Sequence, residues 1–413
     1  MKIAFVVHNF PKLSETFILN QIIGLIDMGH EVDIYAHSPS GEEIIHKEII
    51  DYGLLEKTFY YERFTSRRYN SFPIKLYYQF LGFCGRILKD FSPVIYSELK
   101  KKIPDKEDFK IKPQIKISSD FKEKNYDIIL CHFGTNGYNA INLKNLGILN
   151  GKIVVFFNGR DMSCELISRG DNFYNELFMQ SNLFIPICHF FGDKFLKLGY
   201  TPRKIKVLRL GVDCSKFRIA SKTQKDEINI LTIARLVEKK GLEYSIRTVA
   251  ELLKKYPSLR YTIIGDGELK KPLKKLIKKL KAESNILLVG DKPRDEILKC
   301  FSETDIFVLS SITAKNGDTE GTPISIMEAM ASGIPVVSTY HSGIPEVVKD
   351  EVSGFLVSEK DIGSLYKKIE LLINNSSLRK KMGIEGRKII EKDFNIKILN
   401  KKLVKILQEV VNS

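Results

Sequence analysis

No apolar run in this 413-residue chain approaches the roughly 20 residues that a membrane-spanning helix needs. The opening "MKIAFVVHNF" turns polar too soon for a secretory leader and reads as a first buried strand. Six cysteines (84, 131, 164, 188, 214 and 300) form no CxxC pair and have no histidine partners at ligand spacing. That argues against zinc and against a disulfide framework, and it fits a reducing cytoplasm with the cysteines as small core residues. No internal repeat or low-complexity tract stands out. Helix-turn-helix, RNA-binding and zinc motifs are also missing, which weighs against a basic nucleic-acid-binding protein.

What the chain does carry is positive charge: a net +15, with pI near 9.3. Such a balance favours anionic partners, among them phosphate-bearing substrates and anionic lipid surfaces. An apolar fraction of 43% and a mean hydropathy of -0.12 are those of an ordinary soluble globular protein. The length exceeds what one core usually supports, so two domains are expected.

Short apolar runs rich in β-branched residues alternate with helix-period segments. The first half offers six strands, at 2–7, 31–36, 127–133, 153–158, 183–188 and 204–210. The second offers five, at 228–234, 261–265, 285–290, 305–311 and 334–339. Continuous apolar strands between amphipathic helices indicate parallel sheets covered on both faces. The expected fold is therefore α/β, with two doubly wound Rossmann-like domains facing across a cleft. The polar stretch 213–227 is the natural linker. Expected boundaries are 1–212 for the first domain, 213–390 for the second, and 391–413 for a C-terminal helix packing back on the first domain. Residues 55–125 interrupt the alternation as an aromatic-basic insertion, "RRYNSFPIKLYYQFLGFCGRILKDF" within it. It reads either as helices packed on the N-terminal domain or as a surface for a membrane or lipid-linked acceptor. The lysine-rich stretch 269–283 reads as a solvated helix, or as a second anionic contact.

Ligands of open parallel sheets sit at the carboxyl ends of strands, and the informative residues cluster there. In "EGTPISIMEAMASGIPV" (320–336), Thr322 is suited to an N-cap and Pro323 to a first helical position. Glu320 then falls in the loop before the helix, and Glu328 about a turn and a half inside it. The free amides of a helix start hold phosphate. A carboxylate on either side can take the hydroxyl pairs of a nucleotide sugar. Upstream, "LTIARLVEKKG" places Arg235 at a strand end and Lys240 five residues later, a fork and a point charge able to neutralise a diphosphate.

With these motifs the chain resembles the retaining, nucleotide-sugar-dependent glycosyltransferases of family 4, which have the GT-B fold. The resemblance runs through "ARLVEKKGLEY", "IIGDGEL", "VGDKPRDEI", "TDIFVLSS", "EGTPISIMEAMASGIPVVST" and "SGIPEVV", and in the first half through "HFGTNG", "NGRD" and "LGVDCSKF". The segment "FPKLSETFILNQI" (10–22) is similar to bacterial exopolysaccharide transferases of the colanic acid type.

The resemblance implies a role for each matched position. Arg235 and Lys240 would hold the donor diphosphate and stabilise charge on the leaving nucleotide. Glu328 would bind the ribose, and Glu320 would contact and orient the transferred sugar. Amides of Gly321, Thr322 and Ile324 would meet phosphate or sugar, with Gly265 also at the donor site. His132 would stand near the donor sugar as a catalytic contact. Three departures stand out: Pro323, which has no N–H, replaces a second glycine; Asn158 replaces the histidine of an H-G-x-D loop; and "PKLSETF" replaces a glycine-rich loop. Asn158 and Asp161 are then candidate acceptor or sugar contacts. Ser14, Glu15 and Thr16 either join the site or simply start a helix.

Hexosyl transfer with retention is implied, with the departing phosphate oxygen taking the acceptor proton and no protein nucleophile. No metal or cofactor is expected beyond the nucleotide sugar, UDP-linked rather than GDP-linked. The acceptor would be a growing surface glycan on a polyprenyl diphosphate lipid, placing the enzyme peripherally on an anionic inner membrane face. A nucleotide-sugar epimerase or a phosphorylase on the same fold is the alternative.

Overall fold

The computed structural model describes residues 1–12, 15–41, 45–61, 63–64, 114–115, 124–219 and 227–413. Its frame is a pair of six-stranded, all-parallel sheets. The first contains β1 (Lys2–Asn9), β2 (Glu31–Ser38), β3 (Thr58–Tyr60), β4 (Lys124–His132), β5 (Leu149–Phe157) and β6 (Leu183–Pro186), in the order β3-β2-β1-β4-β5-β6. The second contains β7 (Asn229–Ile233), β8 (Arg260–Ile264), β9 (Ile286–Gly290), β10 (Ile306–Leu309), β11 (Val336–Thr339) and β12 (Gly354–Val357), ordered β9-β8-β7-β10-β11-β12. Both follow one winding rule. The chain moves outward from the central strand, then crosses back to the other side, so a crevice opens at the carboxyl ends of β1/β4 and of β7/β10.

The central strands are buried on both faces. Ile3 to Val6 and Ile128 to Cys131 have no solvent exposure at all, in register as Phe5 opposite Leu130 and Phe5 opposite Ile34. Their Ile/Val-rich runs fit this environment, since β-branched side chains pack well on a pleated surface.

Two strand expectations need correction. The second sheet has six strands, not five: Gly354–Val357 adds an edge strand on β11, with only three consecutive apolar residues between Gly354 and Ser358. The first sheet reaches six by a different route. Thr58–Tyr60 is an unexpected edge strand on β2, whereas 204–210 forms no strand. It runs beside β6 with the Lys206 and Leu208 amides donating to Phe184 O (3.0 Å) and Pro186 O (3.1 Å). Most of the anticipated insertion lies outside the described residues; its described parts include Thr58–Tyr60 and a small antiparallel pair, Arg63–Phe64 with Gln114–Ile115.

The helices that matter to the site are α1 (Thr16–Asp27), α2 (Gly134–Asn145), α3 (His189–Lys197), α4 (Leu242–Leu252), α5 (Lys270–Lys279), α6 (Arg294–Glu303), α7 (Ile324–Ala331), α8 (Ile344–Val347), α9 (Ile362–Asn374), α10 (Ser376–Asp393) and α11 (Ile396–Asn412). One apolar core joins the first sheet to α7 and α11, and a second lies among α4, β8 and α9. On α5 only Leu273 and Ile277 are buried. Helix α11 crosses back to the first lobe: Asn400 Nδ2 donates to Asn20 O at 3.2 Å, and Lys152 Nζ donates to Val410 O at 2.9 Å. Gly24 on α1 allows this approach, since a Cβ there would fall 1.8 Å from Asn400 Nδ2. Among the described residues no helix is long and apolar enough to cross a membrane, and five cysteines are free thiols.

Candidate active site

The loop leaving β7 turns back at Gly241. Its φ of +59° and its position, where a Cβ would sit 1.9 Å from Ser310 O, leave room only for glycine. That approach brings Lys239 and Lys240 to the switch point between β7 and β10. Lys240 Nζ lies 3.0 Å from Glu320 Oε1. Lys239 Nζ reaches Asp318 Oδ1 at 3.2 Å and Thr319 O at 3.1 Å, and stands 4.0 Å from Glu320 Oε1. Arg235 remains exposed, near enough to Lys240 that its charge disfavours the lysine's. Among the described residues it has no ion-pair partner.

Charge in this cluster is set by burial and by neighbours. Burial pulls the Lys240 amine down, with Lys239 and Arg235 adding to the effect against Glu320. Burial alone would raise the Glu320 carboxyl, but Lys240 and Lys239 overcome it and hold it below the usual range. Glu320 is thus a buried carboxylate facing two cations.

Helix α7 starts one residue later than expected. Pro323 is the N-cap, at φ −62° and ψ 120°, and Ile324 is the first helical residue. Thr322 caps nothing, because proline's fixed φ carries the extended backbone one position further. Its Oγ1 is buried without a partner. Among the described residues no acceptor meets the amides of Gly321, Thr322 or Ile324, so the helix mouth keeps donors free for an anion. At its other end the helix closes with Gly333 at φ +72° and the Ile334 amide donating to Ala329 O, 3.0 Å.

Glu328 points to a neighbouring recess. Its Oε1 accepts from Arg294 Nη1 at 2.6 Å, and the Arg294 guanidinium lies 5.1 Å over the Phe217 ring. Burial pushes the Glu328 carboxyl up, more than Arg294 pulls it down. The crevice here is lined by Thr16, Asp213, Arg294, Ile324 and Glu328 among others.

The lobes touch beside Glu320. A Cβ on Gly321 would sit 2.5 Å from Asn158 O and 2.5 Å from Ile187 Cδ1, and one on Gly343 would sit 2.5 Å from Gly321 O. Ser163 Oγ of the first lobe donates to Asp318 Oδ1 at 3.1 Å. Glu346 accepts the Phe190 amide at 3.2 Å and faces Arg209 at 3.5 Å. Both side-chain amide atoms of Asn158, Thr322 Oγ1 and Ser342 Oγ are buried here without a hydrogen bond of normal geometry among the described residues. Buried polar atoms are rarely left so.

Several first-lobe expectations change. His132 makes no surface contact: it is fully buried, stacked 4.8 Å from Phe156, with Nε2 2.9 Å from Gln21 Oε1. Burial drives the imidazole down to about 3, so in this arrangement the ring is neutral. Asn158 also acts on the ring, opposing the effect of burial. Asp161 is also buried. It is 2% exposed and accepts the amides of Asn158 (3.0 Å), Gly159 (2.8 Å) and Gly134 (3.3 Å), stapling the loop that presents Asn158. Glu15 is the N-cap residue of α1, paired with Lys12 at 3.2 Å. Thr16 reaches the Glu328 crevice, and Ser14 lies outside the described residues. Gly265 packs against the Ala234 carbonyl, where a Cβ would be 2.0 Å away, which keeps the end of β8 close to that of β7.

Sequence reasoning missed Lys239, Arg294, Asp318, His341 and Glu359. His341 is 2% exposed; its Nε2 accepts the Glu320 amide at 3.0 Å and its Nδ1 lies 2.6 Å from Glu359 Oε1. Such contacts join residues tens of positions apart, and no local spacing announces them.

Two facing Rossmann-like domains with a cationic pair, a helix mouth and two flanking carboxylates at the interlobe crevice define a GT-B glycosyltransferase. The model for glycosyl transferases group 1 matches residues 214–389. Over 99% of its length the chain is 35% identical to the putative colanic acid biosynthesis glycosyltransferase WcaL of Salmonella typhimurium, covering all of it. The same holds, at 35% identity, for the amylovoran biosynthesis glycosyltransferase AmsK of Erwinia amylovora, again covering all of it. Among solved structures, Anabaena HepE in complex with UDP superposes with a TM-score of 0.71 at 16% identity, covering 99% of this chain and 100% of that one. This chain belongs to the group 1 glycosyltransferases.

Proposed function

We propose that the protein is a retaining hexosyltransferase of family 4 that extends a bacterial exopolysaccharide from a nucleotide sugar. The observation that carries the reading is the buried Lys240–Glu320 pair, 3.0 Å apart, set beside the unoccupied amides of the α7 mouth. In this reading the second lobe takes the donor. Lys240 and Arg235 neutralise the diphosphate, Glu328 holds the ribose, and Glu320 orients the transferred sugar. The acceptor enters from the first lobe, where Asn158 offers a free amide to a sugar hydroxyl. Lengthening of the anomeric C–O bond puts negative charge on the departing phosphate. Fixed cations in a site closed to water stabilise that charge without reorganising. The phosphate oxygen then takes the acceptor proton, and the new bond forms on the face the nucleotide leaves.

The side-chain cations stand where a divalent metal would otherwise serve, so turnover should survive EDTA. UDP is the proposed nucleotide, supported by the UDP complex of HepE. The net charge of +15 supports an acceptor on an anionic, lipid-linked carrier at the membrane surface, and the lengthwise match to WcaL and AmsK supports polysaccharide synthesis. The experiment is a thermal-shift screen of UDP-, GDP- and ADP-sugars, followed by transfer with the best donor in EDTA and on anionic or neutral vesicles. A native-state ligand at 100 times its Kd adds about 2.7 kcal/mol of stability. No shift with any nucleotide sugar would defeat the reading. Anomeric inversion in the product would defeat its stereochemical part alone.

A further inference from the structure

Glu320 is held from behind as well as from the front. Its carboxylate meets Lys240, while its backbone amide donates to His341 Nε2 at 3.0 Å. An imidazole nitrogen that accepts carries no proton, so the His341 proton must be on Nδ1. There it is donated to Glu359 Oε1 at 2.6 Å, a short, charge-assisted bond. Glu359 is fixed in turn: its Oε2 accepts the Thr313 amide at 2.8 Å, and its Oε1 faces Thr313 Oγ1 at 3.3 Å. Burial would raise the Glu359 carboxyl, but the bonds from His341 and Thr313 overcome it and hold it below the usual range. Thr313, His341 and Glu359 come from the chain after β10, β11 and β12 respectively. Three adjacent strand ends are thereby tied to one amide.

We propose that Glu359 and His341 form a positioning dyad that fixes the backbone of Glu320 so that its carboxylate stands at the transferred sugar. The dyad touches neither donor nor acceptor. Glu359 selects the imidazole tautomer, and the tautomer decides whether the Glu320 amide finds an acceptor or a second N–H. Without Glu359 the other tautomer is open to the ring, and an Nε2–H would then face the Glu320 N–H and push the loop away. The inference rests on the reading that Glu320 contacts the sugar, so the two are tested side by side.

The experiment compares His341→Leu, His341→Gln, Glu359→Leu and the His341→Gln/Glu359→Leu double variant, with Glu320→Gln as control. Each is measured for transfer kcat, for the Kd of UDP, which lacks the sugar, and for urea stability. A displaced contact of about an ångström costs on the order of 100-fold in rate. His341→Leu should therefore lose about 10- to 100-fold in kcat while binding UDP as the parent does. His341→Gln, whose side-chain oxygen can still accept the amide, should recover most of that loss. Glu359→Leu should slow the parent clearly yet leave the His341→Gln background unchanged, because a glutamine has no tautomer to select. Full activity in folded His341→Leu, a glutamine no better than leucine, or an equal Glu359→Leu penalty in both backgrounds overturns the dyad. The exposed edge of Glu359, 27% by side chain, makes its variants the safeguard should His341→Leu not fold. Full activity of Glu320→Gln would instead overturn the role of Glu320 itself.

Discussion

Lys240 Nζ and Glu320 Oε1 stand 3.0 Å apart, with only 11% and 8% of their side chains exposed. Two charges removed from water are worth little as a pair, since desolvation consumes most of their attraction, but breaking one half is costly. The pair is therefore better explained by what it does for a ligand than by what it does for the fold.

This makes stability and activity separable. Lys240→Met should destabilise by about 3 kcal/mol, the low end for a broken buried pair, because Lys239 remains 4.0 Å from Glu320. Turnover should fall by about 10²–10³, the range for losing one electrostatic donor. Removing both charges, as Lys240→Met with Glu320→Leu, should restore most of the stability and none of the activity. Urea unfolding and initial rates on the same three proteins check this. A double variant that regains activity would show the pair to be structural.

The pH dependence of stability should carry the signature of His132. Burial lowers its value from 6.5 to about 3 in the folded protein, so between those values the unfolded chain binds a proton that the native state refuses. Stability then rises with pH across that window, at up to about 1.4 kcal/mol per unit, and the contribution is complete above 6.5. Its loss begins as pH falls below 6.5. His132→Gln, which cannot titrate, should flatten the wild-type slope between pH 6.5 and 5 in urea unfolding. Unchanged slopes would mean that the ring is hydrated in solution.

How far the sequence reaches is visible in particular residues. That Lys240, Glu320 and Glu328 lie close to strand ends and a helix start was legible, because local geometry sets such short distances. The α/β alternation was legible for the same reason, and the two parallel sheets follow it. The edge strands Thr58–Tyr60 and Gly354–Val357 were not: the first is three residues inside the stretch read as an insertion, and the second offers only three consecutive apolar residues between Gly354 and Ser358. The surroundings of His132 were not legible either. A histidine ending a strand looks the same in sequence whether it faces a ligand or, as here, Phe156 and Gln21. The His341–Glu359 contact was out of reach, because it depends on β11 and β12 being neighbours.

Arg294 offers a test at the ribose end. Its Nη1 occupies Glu328 Oε1 at 2.6 Å and opposes the upward shift that burial imposes on that carboxyl. A ribose diol needs an ionised acceptor, so Arg294→Met should weaken UDP binding roughly 10-fold and reduce discrimination against 2′-deoxy-UDP. Loss of a buried charge-assisted hydrogen bond of about 1.5–3 kcal/mol is of that size. Calorimetric titration of both nucleotides decides it. Equal losses for both, with discrimination intact, would place Arg294 away from the ribose.

Gly321 tests whether the contact between the lobes belongs to the reaction. A Cβ at this position would fall 2.5 Å from Asn158 O, a backbone atom that cannot rotate aside. Gly321→Ala must therefore hold the lobes apart or displace the Asn158 loop, which Asp161 staples through three amides. The residue's φ is not in the left-handed region, so alanine adds no backbone strain and the effect is one of contact. UDP binding, made mainly by the second lobe, should stay within a few-fold of the parent, whereas transfer should fall at least 10-fold. A moderate loss in kcat with unchanged UDP affinity is what a closure defect produces, because closure completes the site after the donor has bound. If Gly321→Ala transfers at the parental rate, the approach of Asn158 to Gly321 is incidental to turnover. The free amide of Asn158 would then have to meet the acceptor in a more open arrangement of the lobes.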